Sequence, residues 1–393
     1  MPAVSQFRLM TVHSALFGLA CAMAHGFVGA YLLKQGFGLP VALATYAAIL
    51  VARFGLRFVA LAAVRRVGMA GGMRLGAALS ALSFLPLLGA ENPAWLILWV
   101  ACVSMAESLY WPVYHASTAS VACGSSGFGR QVAERTMVGA IVSVIGPLAG
   151  GFLLASFGEG TGFGIAAAVC LLSTLPLGRM APIDAGPIPC FRTSLQGDRR
   201  TMATFAADGW MASGLGYAWP MILFVSMGGS YEAFGLANAG AGLVGAVASI
   251  VCGRAVDRGQ RDRYLVIVCA ALALAFVLRA ASAWSPLAAL LANVSGAAIA
   301  GFYGPVVMSA VYERSKRSGA AYRAHIAAEA GWDVGAVSGL LAAAAVAALA
   351  PVASFAVLPA SLGIVALYAC VRSARPARAA RVGDMLATTP AAA

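Results

Sequence analysis

The stretch Gly253-Arg254-Ala255-Val256-Asp257-Arg258-Gly259-Gln260-Arg261 is a short charged turn between two long apolar runs. In a bilayer, the segment that joins two neighbouring spanning helices must reverse direction at the interface, and a sequence rich in glycine and arginine suits that place. Arginine is concentrated in the cytoplasmic loops of membrane proteins. The stretch therefore predicts a cytoplasmic turn in a protein with several spanning helices.

The composition of the whole chain fits the same class. Of its 393 residues, 61% are hydrophobic and 10% are charged, which is more apolar than a soluble core of this length requires. Arginines gathered in cytoplasmic loops explain the net charge of +12, so we do not expect nucleic-acid binding. The eight cysteines are scattered and lack the spacing of a metal site or a disulfide framework. We expect a bacterial cytoplasmic-membrane protein with no metal site and no cofactor.

Twelve apolar segments can be marked, each able to cross about 30 Å of hydrocarbon, with the sixth at the lower limit. They must be helices, because a backbone exposed to lipid has to satisfy its own hydrogen bonds. The segments run over residues 9–33, 39–64, 74–90, 94–121, 131–157, 163–178, 202–227, 232–252, 264–284, 286–312, 322–349 and 352–371. The chain is thus predicted to be an all-α polytopic membrane protein.

Loop charge predicts the orientation. The even-numbered turns are rich in arginine, whereas the intervening turns hold Lys34 as their one basic residue, with Glu91, Glu159 and Glu232. Basic residues also precede the first segment and follow the last. By the positive-inside rule both termini lie in the cytoplasm.

The longest polar interval, residues 179–201, divides the segments six and six. The halves also share a short repeat, because Leu109-Tyr110-Trp111-Pro112-Val113 recurs as Phe302-Tyr303-Gly304-Pro305-Val306 at the equivalent place in the second half. We therefore predict two pseudo-symmetric six-helix bundles, at 1–178 and 202–371. The linker between them is cytoplasmic, and a disordered basic tail follows at 372–393.

The charged turn at residues 253–261 resembles the signature loop of the major facilitator superfamily of secondary transporters. In that loop a glycine, three residues and Asp-Arg are followed by a further arginine. The resemblance implies twelve helices in two bundles and transport by alternating access. It also implies that the loop, with Gly253, Asp257, Arg258 and Arg261, is part of a cytoplasmic gate. The expected partners of Asp257 and Arg258 are Arg130, Glu134 or Arg135.

A second motif lies in the fifth segment, where Gly139 is followed by Gly146, Pro147, Gly150 and Gly151. It resembles the GPxxGG motif that this family carries in the same helix, particularly in its exporters, and so favours export. Small residues also allow helices to approach closely, which explains the motif almost equally well. Two features depart from the family pattern. The first-half counterpart of the charged turn lacks an aspartate, and the fourth segment offers Glu107 where many exporters place arginine.

Ionisable residues inside spanning helices are costly and are the strongest candidates for a site. His325, Glu329 and Asp333 follow one another at four-residue steps, which places them on one stripe suited to proton relay. The acids could equally pair permanently with Arg53, Arg57 or Arg130. Further candidates are His13, His25, Glu107, His115 and Asp208, whereas Arg279 lies near a helix end and is expected to snorkel.

The resemblance assigns the first, fourth, seventh and tenth helices to the central cavity. Glu107, His115, Asp208 and Tyr303 would then face one aqueous pocket. His13 and Asp208 occupy comparable early positions in the two halves and are expected to approach each other at the cytoplasmic mouth, although a lone histidine more often has a packing role. Of the aromatic residues in the seventh segment, Trp219 is the one expected to face the cavity.

The function predicted first is proton-coupled export of a small organic compound by a monomeric secondary transporter, which needs substrate, protons and bilayer as partners. Histidines beside carboxylates also permit uptake of a metabolite, metal or metal chelate by the same fold. A membrane receptor or enzyme is the remote alternative. Nothing in the sequence resembles a nucleophile elbow, a phosphate-binding loop or an HExxH motif, so we do not expect an enzyme.

Overall fold

The computed structural model of the protein describes residues 3–121, 128–257, 261–299 and 319–372, and within these ranges the chain forms helices and no strands. The α-helices, numbered along the chain, are α1 Ala3–Ala20, α2 Gly26–Lys34, α3 Leu39–Leu82, α4 Phe84–Leu87, α5 Pro93–Val121, α6 Phe128–Leu172, α7 Thr174–Leu177, α8 Arg199–Ala212, α9 Trp219–Ser226, α10 Tyr231–Asp257, α11 Arg261–Ala280, α12 Pro286–Ile299, α13 Ala321–Leu349 and α14 Leu362–Arg372. Two π-helical segments, Cys21–His25 and Ser213–Ala218, join α1 to α2 and α8 to α9.

The two longest helices each reverse direction at one glycine. In α3 this is Gly68 (φ 74°, ψ 177°) and in α6 it is Gly158 (φ 80°, ψ 169°). Only glycine adopts this backbone conformation without steric cost. After the first reversal, a Cβ built on Gly72 would lie 2.8 Å from the Val64 side chain, although eight residues of straight helix span about 12 Å. Each long helix is therefore a helical hairpin that supplies two predicted segments.

Six helices in the described ranges are long and apolar enough to cross a membrane, and the 49-residue and 41-residue members contain the two hairpins. Large apolar side chains such as Ile97, Leu175 and Leu236 are exposed, as expected for surfaces that face lipid. The chain is an integral membrane protein, and the predicted all-α fold is confirmed.

The main difference from the predicted helices lies in the last segment. It begins as a 3₁₀ helix over Ala353–Ser361, which contains Pro359, and becomes α-helical only at Leu362. The later part of the tenth segment and the tail beyond Arg372 lie outside the described residues.

Helices from the two halves pack directly against each other, α10 against α6 and α13 against α3. The linker lies over one end of this interface: the Tyr322 amide donates to the Ala185 carbonyl at 3.2 Å, and Arg65 donates to the Pro189 carbonyl. Near the end of the linker, the Asp198 carboxylate caps α8 by accepting the Thr201 amide at 3.0 Å.

We predict that Cys190 in this linker is the most reactive of the described cysteines and that a thiol reagent modifies it from the cytoplasmic side. Its side chain is exposed, whereas Cys21, Cys102, Cys170, Cys269 and Cys370 are partly or fully buried. A hydrogen bond with Thr193 lowers the pKa of the Cys190 thiol, so more thiolate is present at neutral pH. A membrane-impermeant maleimide should label it about tenfold faster than the others in inverted vesicles.

The labelling rate should rise with pH until it passes the thiol pKa and then level off. Cys190→Ser is the control and should remove the fast phase. Fast labelling of intact cells would show that the linker faces outward and would reverse the predicted topology.

Candidate functional site

A cavity of about 800 Å³ lies between the two halves of the chain. Its first-half wall includes Glu107 and Trp111 of α5, and its second-half wall includes Asp208 of α8, Tyr217 and Trp332. Proteins bind small organic molecules in spaces of this size. Both π-helical segments contribute to the lining, at equivalent positions in the two halves, and such segments are frequent at functional sites.

Arg53 of α3 links three carboxylates at the cavity wall. Its Nε donates to Asp333 Oδ1 at 2.6 Å, and its Nη1 donates to Glu107 Oε2 at 3.2 Å. Its Nη2 lies 3.6 Å from Glu329 Oε2. The side chain is only 4% exposed, so these charges interact with little solvent screening. One guanidinium thus joins α3 and α5 of the first half to α13 of the second.

A second arginine strengthens the contact between the halves. Arg57, one helical turn beyond Arg53, pairs with the other oxygen of Asp333. Both Arg57 and Asp333 are buried, and Asp333 does not line the cavity. In this structure Asp333 is therefore held in ion pairs with two arginines.

Glu329 has a different environment. Its Oε1 lies 3.6 Å from His115 Nε2, and both residues line the cavity. The His115 ring stacks on the ring of His325, with centroids 5.5 Å apart. Within the predicted stripe, a carboxylate with an imidazole neighbour therefore faces the cavity, while Asp333 is held behind it. The proton-relay role of Glu329 stays a prediction.

Glu107 and Asp208 lie on the cavity wall, as the sequence predicted. Asp208 Oδ2 accepts the indole N–H of Trp332 at 2.9 Å. The same indole ring lies under the guanidinium of Arg53, whose Cζ is 4.8 Å from the ring centroid. Trp332 therefore couples the Arg53 network to Asp208 through a cation–π contact and a hydrogen bond.

The structure does not bring His13 to Asp208. The His13 side chain is fully buried, with Nδ1 2.7 Å from the Ser173 carbonyl oxygen and Nε2 2.9 Å from the Tyr110 hydroxyl. A carbonyl only accepts, so Nδ1 carries a proton. His13 does not line the cavity, and both of its nitrogens are used in packing α1 against its neighbours.

Trp219 also lies elsewhere than predicted. It is buried behind the cavity wall, where its indole N–H donates to Asn293 Oδ1 at 2.9 Å. Arg279, which was expected to snorkel, instead covers the Trp219 ring with its Cζ 4.9 Å from the centroid, and it is 5% exposed. Tyr217 takes the cavity position. The wide turn of the π-helical segment changes which residues follow on each helix face.

The glycine motif in α6 is a packing surface. A Cβ on Gly146 would meet Ala22, one on Gly150 would meet the Met23 carbonyl, and one on Gly151 would lie 2.6 Å from the Tyr231 carbonyl. Gly139 has nothing within 4 Å of such an atom and lines the cavity. The motif therefore holds α6 close to the π-helical segment Cys21–His25 and, across the halves, to α10. Pro147 lies inside α6.

Several predicted residues fall outside what the structure describes. Tyr303 and Arg258 lie outside the described residues, and the same holds for the surroundings of Gly253 and for the side chains of Asp257, Arg261, Arg130 and Arg135. The structure gives only the ends of the two helices beside the charged turn, Asp257 of α10 and Arg261 of α11. The predicted gate stays a prediction.

Two aromatic residues that the sequence did not single out, Tyr46 and Trp99, also line the cavity. Tyr46 and Tyr217 have ring centroids 4.8 Å apart, and the Trp99 ring centroid lies 6.5 Å from that of Tyr46. Tyr46 and Trp99 lie near the starts of α3 and α5, and aromatic residues near the ends of spanning helices usually mark the membrane interface. Sequence alone offers no signal that separates these two roles. In the described part of the chain, no three histidine, cysteine or acidic residues converge as a metal-binding group.

The chain is similar to solved structures, whereas no protein-family model and no curated protein sequence matches it. The human organic anion transporter MFSD10 has 17% identity, covering 94% of this chain and 100% of its own, with a TM-score of 0.66. The E. coli fucose:proton symporter FucP has 13% identity, with coverage of 96% and 100% and a TM-score of 0.67.

A D-xylose-proton symporter has 16% identity, with coverage of 95% and 98% and a TM-score of 0.68. These similarities extend over nearly the whole chain at low identity, so they define the fold. The chain has the fold of major facilitator superfamily transporters.

Proposed function

We propose that this protein is a secondary active transporter that moves a small organic compound in exchange for protons by alternating access. The observation that carries the proposal is the cavity between the two halves, with Glu107 and Asp208 on its wall. Ionisable side chains inside a membrane protein are costly unless they serve a path for ions or substrate. We propose that it works as a monomer in the cytoplasmic membrane, with both termini inside.

The units that move in this proposal are the bundles at 1–178 and 202–371, joined by the linker at 179–201. Arg53 of the first bundle contacts Glu329 and Asp333 of the second, so the contact strengthens or weakens as the bundles rotate. A proton on Glu107 or Glu329 removes one negative charge from the network. Protonation can therefore shift the balance between two arrangements of the bundles.

The export direction rests on the GPxxGG resemblance of the α6 motif. Uptake by proton symport is the second candidate, because two structures with this fold are described as proton symporters, one for fucose and one for D-xylose. A pH gradient imposed in either direction across a proteoliposome membrane distinguishes proton exchange from proton symport. In exchange the protons move against the substrate, and in symport they move with it.

The test is flux into proteoliposomes that contain a pH-sensitive dye, with panels of organic cations, organic anions and sugars added outside. We expect Glu107→Gln and Asp208→Asn each to abolish transport driven by a pH gradient while the protein remains folded. The reason is that each amide keeps the shape of the side chain and cannot exchange a proton.

Glu232→Gln is the matched control, because Glu232 is exposed in the first turn of α10 and is not part of the cavity lining. Proton movement as fast in both variants as in the parent protein would remove these carboxylates from the mechanism. A protein that moves no member of any panel under either gradient would contradict the transport function itself.

A further inference from the structure

Three carboxylates line the cavity, those of Glu107, Asp208 and Glu329. In the described part of the lining Arg53 lies among them, and it shares its charge between Glu107, Glu329 and the buried Asp333. Negative charge in a site shielded from water is stabilised by protons or by a bound cation.

Glu107 is the member of the Arg53 network best placed to receive a cation. Arg53 donates two hydrogen bonds to Asp333, and Arg57 donates to the same carboxylate, so Asp333 takes most of the available positive charge. Glu107 keeps one bond at 3.2 Å, and its side chain is 29% exposed, against 8% for Glu329 and 1% for Asp333. Its free carboxylate edge therefore faces the cavity.

Aromatic rings surround the same part of the cavity. Tyr46, Trp99 and Tyr217 form a connected group, and all three line the same cavity as Glu107. A carboxylate beside aromatic faces is the arrangement that recognises organic ammonium groups, since each ring face attracts the cation and the carboxylate neutralises it.

We propose that the cavity takes a monovalent organic cation, an amine with an aromatic or apolar body, whose ammonium group pairs with Glu107 and whose body packs against Tyr46, Trp99 and Tyr217. This rests on the proposed function, because it names the substrate class of the same cavity. An organic anion is disfavoured there, since it would have to displace carboxylates from Arg53.

The test compares three ligands with one ring and one chain length: 4-phenylbutylamine, 4-phenylbutanol and 4-phenylbutyrate. Binding to the full-length protein in detergent is measured by quenching of tryptophan fluorescence and by thermal shift. We expect the amine to bind at least about tenfold more tightly than the alcohol, and the carboxylate to bind most weakly.

Glu107→Gln should lower the affinity for the amine about tenfold and leave the affinity for the alcohol within about twofold. Glu107→Asp keeps the charge and should recover part of the loss, and unchanged alcohol binding shows that the variant is folded. Glu91→Gln, at an exposed glutamate away from the cavity, should bind all three ligands as the parent protein does.

Equal affinities for amine and alcohol, tighter binding of the carboxylate, lack of saturable amine binding, or an unchanged amine affinity in Glu107→Gln would each overturn the proposal. The two proposals can fail separately. Gradient-driven flux of the carboxylate or a sugar would support transport and refute the cation class, whereas amine binding without any flux would support the cation site and refute transport.

Discussion

Asp333→Ala is expected to destabilise the protein by about 3–5 kcal/mol, because it removes the carboxylate that both Arg53 and Arg57 contact and leaves a buried cation without a partner. Arg53 would retain Glu107 and Glu329, whereas the described residues offer Arg57 no second salt bridge. Equilibrium unfolding in mixed detergent micelles measures the change.

The paired variant Arg57→Met/Asp333→Leu provides the control. It removes the cation and the acid together and fills the space with apolar side chains, which often preserves or raises stability at a buried ion pair. We expect it to recover most of the loss seen in Asp333→Ala. If the paired variant is as unstable as the single one, the loss comes from packing and not from an unpaired guanidinium.

Gly151→Val is expected to lower stability by about 1–3 kcal/mol or more and to reduce the yield of folded protein. Already a Cβ atom at this position would lie 2.6 Å from the Tyr231 carbonyl oxygen and 3.1 Å from the Gly235 Cα. Both atoms belong to the backbone of α10, so no side-chain rotation relieves the overlap and α6 must move away from α10. The unfolding midpoint in detergent reports the effect.

Gly164→Val makes the same substitution in the same helix, at an exposed position where a Cβ would meet nothing within 4 Å. We expect its unfolding midpoint to stay close to that of the parent protein. Equal losses of stability in the two variants would mean that the loss comes from placing valine at any helical glycine and not from the contact between the halves.

The helices and the class of protein could be predicted from local sequence. A spanning segment needs enough consecutive apolar residues and internally satisfied backbone hydrogen bonds, and both are properties of the segment itself. The turns inside α3 and α6 follow from the glycines at 68 and 158 and from the charged or polar residues around them. Arg53, Glu107 and Glu329 were likewise recognisable, because charges inside apolar segments must face the protein interior.

The pairing of these charges could not be predicted. Arg53 and Asp333 are 280 residues apart, and several acids were compatible partners for each arginine until α3 and α13 were placed side by side. The depth of each acid could not be predicted either: Asp333 lies behind the cavity wall, while Glu329, one turn away on the same helix, faces the cavity.

The errors concern which face of a helix is turned inward. Trp219 was expected to face the cavity, but Tyr217, within the π-helical segment Ser213–Ala218, lies there instead. His13 was expected to approach Asp208 but bonds to Ser173 and Tyr110, and Arg279 was expected to snorkel but lies buried over the Trp219 ring.

The sequence by itself determined that this protein is a bundle of membrane-spanning helices with costly charges in its interior. The reason is that the free energy of transferring a segment into lipid is a sum of contributions from residues that are neighbours in the chain. Only the tertiary structure decided which charges neutralise each other and which carboxylate faces the cavity. Those outcomes depend on distances of a few ångströms between helices that are far apart in the chain, where Coulomb energy changes steeply with separation and burial.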